Sequence, residues 1–288
     1  MGEKINREYK DRLFSFIFGR EENKAWTLSL YNAMNGTAYD DENAIEIMTM
    51  SDTVYMGMKN DVSFLVSDML SLYEQQSTYN PNMPVRQLMY LGRQYDRYIE
   101  DTKQNIYGSR QMHLPVPKLV TLYNGEKDID DKVLRLSDSF SANAEQSDVQ
   151  VSVTLININR GRNRELLESC KPLEEYSWFV EKVRENKKEL IIETAVDKAI
   201  DEMPESFQIK RFIMGNRAEV KNMCLTEYNE AETMQLFKEE ERDQINQLNR
   251  WLVEQGRNDE MIRSFSDKDL QEHLIQEMEA EKVNKASV

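Results

Sequence analysis

The stretch Lys59–Ser77, KNDVSFLVSDMLSLYEQQS, most strongly constrains what this chain can fold into. Its residues alternate with a period of two and include β-branched and aromatic side chains, a pattern typical of β-strands. Ser67 and Asp68 separate the two alternating halves, which predicts two strands joined by a two-residue turn. In that register, Val66 lies opposite Met69.

The same register places two acidic residues, Asp61 and Glu74, directly opposite one another. Opposed residues of an antiparallel pair have Cβ atoms about 4.5–5.5 Å apart, so the two carboxylates repel each other unless a cation lies between them. Mg²⁺ binds one or two carboxylates and keeps water or phosphate oxygens as its other ligands. The sequence therefore predicts a divalent-metal site at this end of the hairpin. The alternative is a pair of solvated acids at a sheet edge.

The chain is acidic overall, but its charge is unevenly distributed. The formal net charge is −15, yet the first 125 residues hold 13 basic and 16 acidic side chains, so most of the excess of acidic over basic residues lies after residue 125. The first part of the chain can therefore still contain a groove for a polyanion. A hydrophobic content of 40% over 288 residues is enough for a sizeable core.

The cysteines and the N-terminal sequence point to an intracellular protein. Cys170 and Cys224 form neither a disulfide framework nor a zinc-ligand spacing. The N-terminal residues lack the apolar core of a signal peptide. No apolar run approaches the roughly 18 residues that a membrane span needs. We therefore expect a cytoplasmic protein without membrane association.

The order of predicted elements divides the chain into two parts. Periodicity and capping signals predict helices at 5–18, 21–35 and 85–101, and strands at 44–50, 115–124, 133–136 and 149–158. The order up to residue 124 is thus α, α, β, β, β, α, β, including the hairpin. From Arg164 the pattern is helical. We therefore expect an α/β domain over residues 1–160 and an acidic, mostly helical region over 161–288 that packs on it or extends from it.

A family resemblance is carried by Asp61, Glu74, Gln76 and a series of segments in order. The segments are KDRLFSFIFG at 10–19, ENKAWTLSLYNAMNGT at 22–37, VYMGMKNDVSFLV at 54–66, LYEQQSTYNPNMPVR at 72–86, PVPKLVTLYNG at 115–125, CKPLEEY at 170–176 and RAEVKNMCLTEYNE at 217–230. In these segments the chain resembles the recombination-promoting nuclease/putative transposase family of bacteria, a branch of the PD-(D/E)XK nuclease superfamily.

The resemblance implies both a fold and an activity. The implied fold is α/β, a restriction-endonuclease-like αβββαβ core with a mixed central sheet, followed here by the helical C-terminal region. The implied activity is hydrolysis of DNA phosphodiester bonds with Mg²⁺ or Mn²⁺ as cofactor. Such a metal polarises the scissile phosphate and lowers the pKa of a bound water.

The resemblance also implies roles for individual residues. Asp61 and Glu74 would bind the metal together with the backbone carbonyl of Gln75. Gln76 stands where many members have a catalytic lysine, on the same strand face as Glu74, where it reaches the same solvent pocket. Its amide cannot act as a base, but it can orient water or donate to a phosphate oxygen. Asp11 is the nearest match to an assisting acid on the first helix, the alternative being an ordinary helix-surface acid.

Three arginines lie on one side of the predicted helix at 85–101. Arg93 and Arg97 follow Arg86 at offsets of 7 and 11 residues, which places the three close together in a helix. They are candidates for contacts to DNA phosphates, which typically come from Arg and Lys. The alternative is a solvated helix face. Tyr90 and Tyr98 of the same helix are expected to pack rather than to stack on bases.

Three functions are compatible with these residues. The first is a metal-dependent DNA endonuclease linked to recombination or mobile elements. The second is a catalytically weak or inactive relative that binds DNA or protein, which Gln76 and the overall acidity favour. The third is a defence or toxin-like nuclease restrained by its C-terminal helices. Those helices are also the candidate surface for a homo-oligomer.

Overall fold

The computed structural model describes residues 13–48, 61–142 and 144–286 and shows an α/β protein. An N-terminal helical segment precedes a mixed six-stranded sheet, and a helical C-terminal region follows it. Within these residues the helices are α1 (Leu13–Phe18), α2 (Lys24–Asn35), α3 (Met83–Asp101), α4 (Arg164–Ser169), α5 (Lys171–Lys187), α6 (Ile192–Asp201), α7 (Lys210–Gly215), α8 (Arg217–Glu254), α9 (Asn258–Ser264) and α10 (Lys268–Ala286). The strands are β1 (Ile45–Ile47), β2 (Val62–Val66), β3 (Met69–Gln76), β4 (Val116–Tyr123), β5 (Lys132–Arg135) and β6 (Ser152–Asn157).

The sheet has the strand order β1-β2-β3-β4-β6-β5. Strands β1, β2 and β3 pair antiparallel, β3, β4 and β6 pair parallel, and β5 pairs antiparallel with β6 at one edge. Parallel neighbours need a crossover connection, and α3 provides it between β3 and β4. Strand β3 therefore lies inside the sheet with a paired strand on each side.

The predicted hairpin register is confirmed where β2 and β3 pair. Val66 lies opposite Met69, and the pairing continues in step to Val62 opposite Tyr73. Ser67, the first of the two turn residues, has a positive φ of 53°. Positive φ angles are what two-residue hairpin turns require, because their twist matches that of the strands.

Two predicted helices begin at slightly different residues in the structure. Helix α2 begins at Lys24, because residues 21–23 form a 3₁₀ turn before it. It ends at Asn35, and the following cap residue Gly36 has a left-handed φ of 64°, which is accessible to glycine without steric cost. Helix α3 begins at Met83, two residues before the predicted start at Val85.

Helices cover both faces of the sheet. On one face, α3 packs over a cluster that includes Leu72 and Leu119. On the opposite face, the ring of Phe64 in β2 meets Tyr31 of α2 edge-on, with ring centroids 6.1 Å apart. Each face therefore has its own layer of side chains and helices.

An aromatic group joins α1 and α5 on the second face. The ring of Phe14 lies 4.9 Å from that of Phe18 and 5.6 Å from that of Tyr176, measured between centroids. All three side chains are buried. Helix α5 therefore contributes to the same core as the N-terminal helix.

The chain divides into two compact units, Met1–Glu227 and Tyr228–Val288. Helices α4 to α7 belong to the first unit. The second unit has its own apolar cluster, formed by Leu248, Leu252, Leu274 and Met278. The division at residues 160 and 161 made from the sequence remains a prediction, but α5, which follows it, packs on α1.

Among the described residues, no helix is long and apolar enough to cross a membrane. Helix α8, the longest of them, has charged and amide side chains throughout its sequence.

We expect Phe14→Ala to lower the free energy of unfolding by about 3–5 kcal/mol, because it removes a buried ring from the contact between α1 and α5. Urea unfolding followed by circular dichroism measures the change. Tyr107→Ala is the control, since Tyr107 is 92% exposed and its loss should change stability by no more than about 0.5 kcal/mol. Equal effects of the two substitutions would contradict the packing described above.

Candidate functional site

Three polar residues, Glu74, Gln75 and Gln76, form the C-terminal end of the central strand β3. Successive side chains of a strand point to opposite faces, so Glu74 and Gln76 lie on the α3 side and Gln75 on the other. Glu74 is 0% exposed and Gln76 is 5% exposed. Burying these groups is costly without polar partners, so their contacts define the site.

Asp61 lies immediately before β2, one residue beyond the pair Val62 and Tyr73. Continuing the same register by one residue places Asp61 opposite Glu74. The Asp61 carboxylate is 5% exposed, and its Oδ2 accepts a hydrogen bond of 2.7 Å from the backbone N–H of Gln75. Asp61 is thus attached to the same end of β3 that carries Glu74.

Arg86 reaches this end of β3 from the first turns of α3. Its Nη2 donates to Oε1 of Glu74 and, at 3.1 Å, to the hydroxyl of Tyr90. The Arg86 side chain is 16% exposed. The arginine stripe predicted from the sequence is therefore split: Arg86 is directed to the buried acid, whereas Arg93 and Arg97 are exposed.

Gln76 has only a weak partner for its amide. Its Nε2 lies 2.8 Å from Sδ of Met83 in α3, and a thioether sulfur is a poor acceptor. Its Oε1 is buried and has no hydrogen-bond partner among the described residues. Unsatisfied buried polar atoms are uncommon in folded proteins, and a bound water or ion is one explanation for such an atom.

The prediction that Gln76 faces a solvent pocket is wrong for this structure. Asp61, Glu74 and Gln76 are each at most 5% exposed. The physical reason is the position of α3, whose first turn brings Met83 and Arg86 over the end of β3. The three residues lie at one end of the β2–β3 hairpin, beneath the start of α3.

Gln75 belongs to a separate network on the opposite face of the sheet. Its side-chain Nε2 donates to Oδ1 of Asn124 at 2.6 Å, and Nδ2 of Asn124 donates to the hydroxyl of Tyr176 at 3.4 Å. The guanidinium of Arg184 donates to the backbone carbonyl of Asn124. The Gln75 side chain thus links β3 to β4 and α5, and its backbone carbonyl remains the predicted metal ligand. Asp11 lies outside the described residues.

Two polar residues of α3 that the sequence did not single out, Gln87 and Gln94, are buried on the same side of the helix as Tyr90. Gln87, Tyr90 and Gln94 are buried, at spacings of three, four and seven residues. The paired strand β4 adds Thr121, which lies next to Glu74 in the register and is buried. The signal for this group was the helical spacing of Gln87, Tyr90 and Gln94, which places three polar residues on one side of the helix.

The environment of Tyr90 reflects the charges of the site. Burial raises the pKa of the Tyr90 phenol to about 12, the Glu74 carboxylate acts in the same direction, and the Arg86 guanidinium opposes it. The phenol is therefore protonated at neutral pH and acts as a hydrogen-bonding group rather than a base.

The donor atoms of the site fit a hard divalent cation. Asp61 and Glu74 provide carboxylate oxygens, and the unpartnered Oε1 of Gln76 provides an amide oxygen, the ligand types that Mg²⁺ and Mn²⁺ prefer. Within the described ranges no group of three or more His, Cys, Asp or Glu side chains converges, so any such site here combines two carboxylates with amide or carbonyl oxygens.

Comparison with family models, with curated proteins and with solved structures found no match.

We expect Gln76→Leu to leave the free energy of unfolding unchanged or to raise it slightly, because it removes a buried amide oxygen that has no partner. The matched control is Gln94→Leu. Gln94 is also buried and its Oε1 likewise has no partner, but its Nε2 donates to the Met48 carbonyl at 3.0 Å and to Oγ of Ser63 at 2.7 Å. Its loss should cost about 1–3 kcal/mol in urea unfolding. A larger cost at Gln76 than at Gln94 would show that the Gln76 amide is satisfied.

We also expect Tyr90 to make the protein sensitive to alkaline pH. Its pKa is raised above the ordinary value near 10, so between about pH 10 and about pH 12 the folded state keeps a proton that the unfolded state loses, and stability falls as the pH rises. In Tyr90→Phe this fall should be smaller by roughly 1–2 kcal/mol. Urea unfolding at a series of pH values measures the difference. The exposed Tyr107→Phe is the control, and an identical decline in all three proteins would contradict the prediction.

Proposed function

We propose that this protein is a divalent-metal-dependent DNA endonuclease of the PD-(D/E)XK superfamily, in its recombination-promoting nuclease/putative transposase branch. The observation that carries the proposal is the convergence of Asp61, Glu74 and Gln76 at one end of the β2–β3 hairpin, with two carboxylates and an unpartnered amide oxygen. The element order α1, α2, β1, β2, β3, α3, β4 supports it, since that superfamily has an αβββαβ core.

The proposed roles follow from the contacts of each side chain. Asp61 and Glu74, with the carbonyl of Gln75, would hold Mg²⁺ or Mn²⁺. The metal would polarise the scissile phosphate and acidify a water. Gln76 would orient that water or donate to a phosphate oxygen, because an amide does not take up a proton at neutral pH.

The proposed substrate is DNA. The exposed Arg93 and Arg97 lie on one side of α3, and exposed guanidinium groups are the usual contacts to phosphates. Arg97 also pairs with Asp101 at 3.4 Å, an exposed ion pair that contributes little and that a phosphate can replace. Each phosphate contact made by these arginines would weaken as salt rises, because the contact releases a condensed counterion.

The proposal predicts cleavage of plasmid and linear DNA by the purified full-length protein in Mg²⁺ or Mn²⁺ and none in EDTA. Asp61→Asn and Glu74→Gln should each reduce the rate on the order of a hundredfold or more, because each removes a charge that positions the metal. Gel analysis of supercoiled, nicked and linear products measures the rates.

Asp68→Asn is the control for the cleavage assay. Asp68 is an exposed acid of the same hairpin, in the turn at its other end, so its loss should leave the rate unchanged. If Asp61→Asn and Glu74→Gln cleave as fast as the wild type, the nuclease assignment is wrong. Identical products with and without EDTA would exclude the divalent metal.

A second candidate is a non-catalytic module that binds DNA or protein with the same fold. The ion pair between Arg86 and the fully buried Glu74 favours it, because this pair already neutralises one of the proposed metal ligands. Retention of DNA in gel-shift experiments without cleavage in any divalent metal would support this candidate over the first.

The C-terminal unit favours a proposal of self-association. Val253, Ile262 and Phe265 are each more than half exposed, although large apolar side chains usually pack. We therefore keep a homo-oligomer formed through the C-terminal helices as a proposal, together with restraint of a defence-type nuclease by these helices.

A further inference from the structure

The contact between Arg86 and Glu74 sets the charge of the candidate site. Asp61 and Glu74 are buried acids, and the Arg86 guanidinium contacts one of them directly. Burying two like charges together is unfavourable, and the guanidinium reduces the net charge of the group to that of a single anion. Arg86 thus offsets, in this structure, part of the negative charge that the two buried acids bring to the site.

The guanidinium contacts the carboxylate that a metal would need. Nη2 of Arg86 donates to Oε1 of Glu74, the carboxylate that the proposed function assigns to the cation. A guanidinium stays protonated at any physiological pH, so it cannot make room by losing its charge. A divalent cation close to both groups would be repelled by it, most strongly in buried surroundings. Arg86 and the metal therefore compete for Glu74.

The Arg86 side chain lies at the edge of the site, next to solvent. Its side chain is 16% exposed, whereas that of Glu74 is completely buried, so the guanidinium lies at the boundary between the buried acids and solvent. Arg93 and Arg97 stand at offsets of 7 and 11 residues on the same side of α3 and are exposed. A rotation of the Arg86 side chain away from Glu74 would add a third guanidinium to this surface.

We propose that Arg86 holds Glu74 in the metal-free protein and, when a divalent cation binds, leaves Glu74 for a phosphate of bound nucleic acid. This inference rests on the proposed function and adds a regulatory property to it. Because a phosphate would replace the Glu74 carboxylate as an anionic partner of Arg86, nucleic acid should strengthen metal binding through this side chain. A side chain with two alternative partners couples the two ligands, and the coupling is reciprocal.

The test measures Mn²⁺ affinity of the full-length protein by isothermal titration calorimetry, with and without a phosphorothioate DNA duplex that resists cleavage. In the wild type we expect the duplex to tighten Mn²⁺ binding roughly tenfold or more. Without the duplex, Arg86→Gln should bind Mn²⁺ roughly tenfold more tightly than the wild type does. Adding the duplex should then increase the Mn²⁺ affinity of Arg86→Gln by a smaller factor than in the wild type.

Arg110→Gln is the matched control. It removes the same charge from an exposed loop position, so it separates the contact with Glu74 from a change in net charge. It should keep both the wild-type affinity for Mn²⁺ and the wild-type gain from the duplex. A change in Arg110→Gln equal to that in Arg86→Gln would overturn the proposal.

The outcomes separate this inference from the proposed function. Mn²⁺ binding that depends on Asp61 but is the same in the wild type and in Arg86→Gln would overturn the exchange alone. Equal binding to the wild type and to Asp61→Asn would overturn the metal site and the exchange with it. If circular dichroism shows that Arg86→Gln is unfolded, the measurements on the wild type alone test the proposal. Equal Mn²⁺ affinities of the wild type with and without the duplex would contradict coupling between the metal and the nucleic acid.

Discussion

The burial of Glu74 is the constraint on which the rest of the site depends. An ionised carboxylate inside a protein is stable only with charged or hydrogen-bonding partners, and Glu74 is completely buried in the central strand. Arg86 provides such a partner, and it does so from α3. The ion pair therefore fixes the start of this helix over the end of β3, where Asp61 and Gln76 also lie.

Helix α3 has two different contacts with the sheet. Leu88 and Leu91 pack beside the apolar cluster, while Gln87 and Gln94 are buried among polar atoms. The amide oxygens of Gln76, Gln87 and Gln94 have no hydrogen-bond partner among the described residues, so each lowers the stabilisation gained on this face. The apolar cluster beneath Leu88 and Leu91 stabilises the same face, and α1, α2 and α5 bury aromatic rings on the other.

The hairpin could be predicted from the sequence because its signals are local. A period of two and a two-residue turn determine both the strands and their register, and so bring Asp61 to Glu74. The partner of Arg86 could not be predicted in this way. Arg86, Arg93 and Arg97 share one side of the helix in projection, and only the position of the helix on the sheet decides which of them reaches a buried acid. The bond from Gln75 to Asn124 spans 49 residues and is likewise determined by packing.

The proton chemistry of the site follows from which side chains can change charge. Arg86 stays protonated, the phenol of Tyr90 keeps its proton below about pH 12, and the Gln76 amide takes up no proton at neutral pH. Asp61 and Glu74 are therefore the groups of this cluster that can accept a proton, and Glu74 is occupied by Arg86. In this structure the cluster holds Glu74 in an ion pair with Arg86 and has Asp61 as its other carboxylate. A metal at the proposed site would have to compete with this guanidinium for Glu74, whereas a binding module can keep the ion pair unchanged.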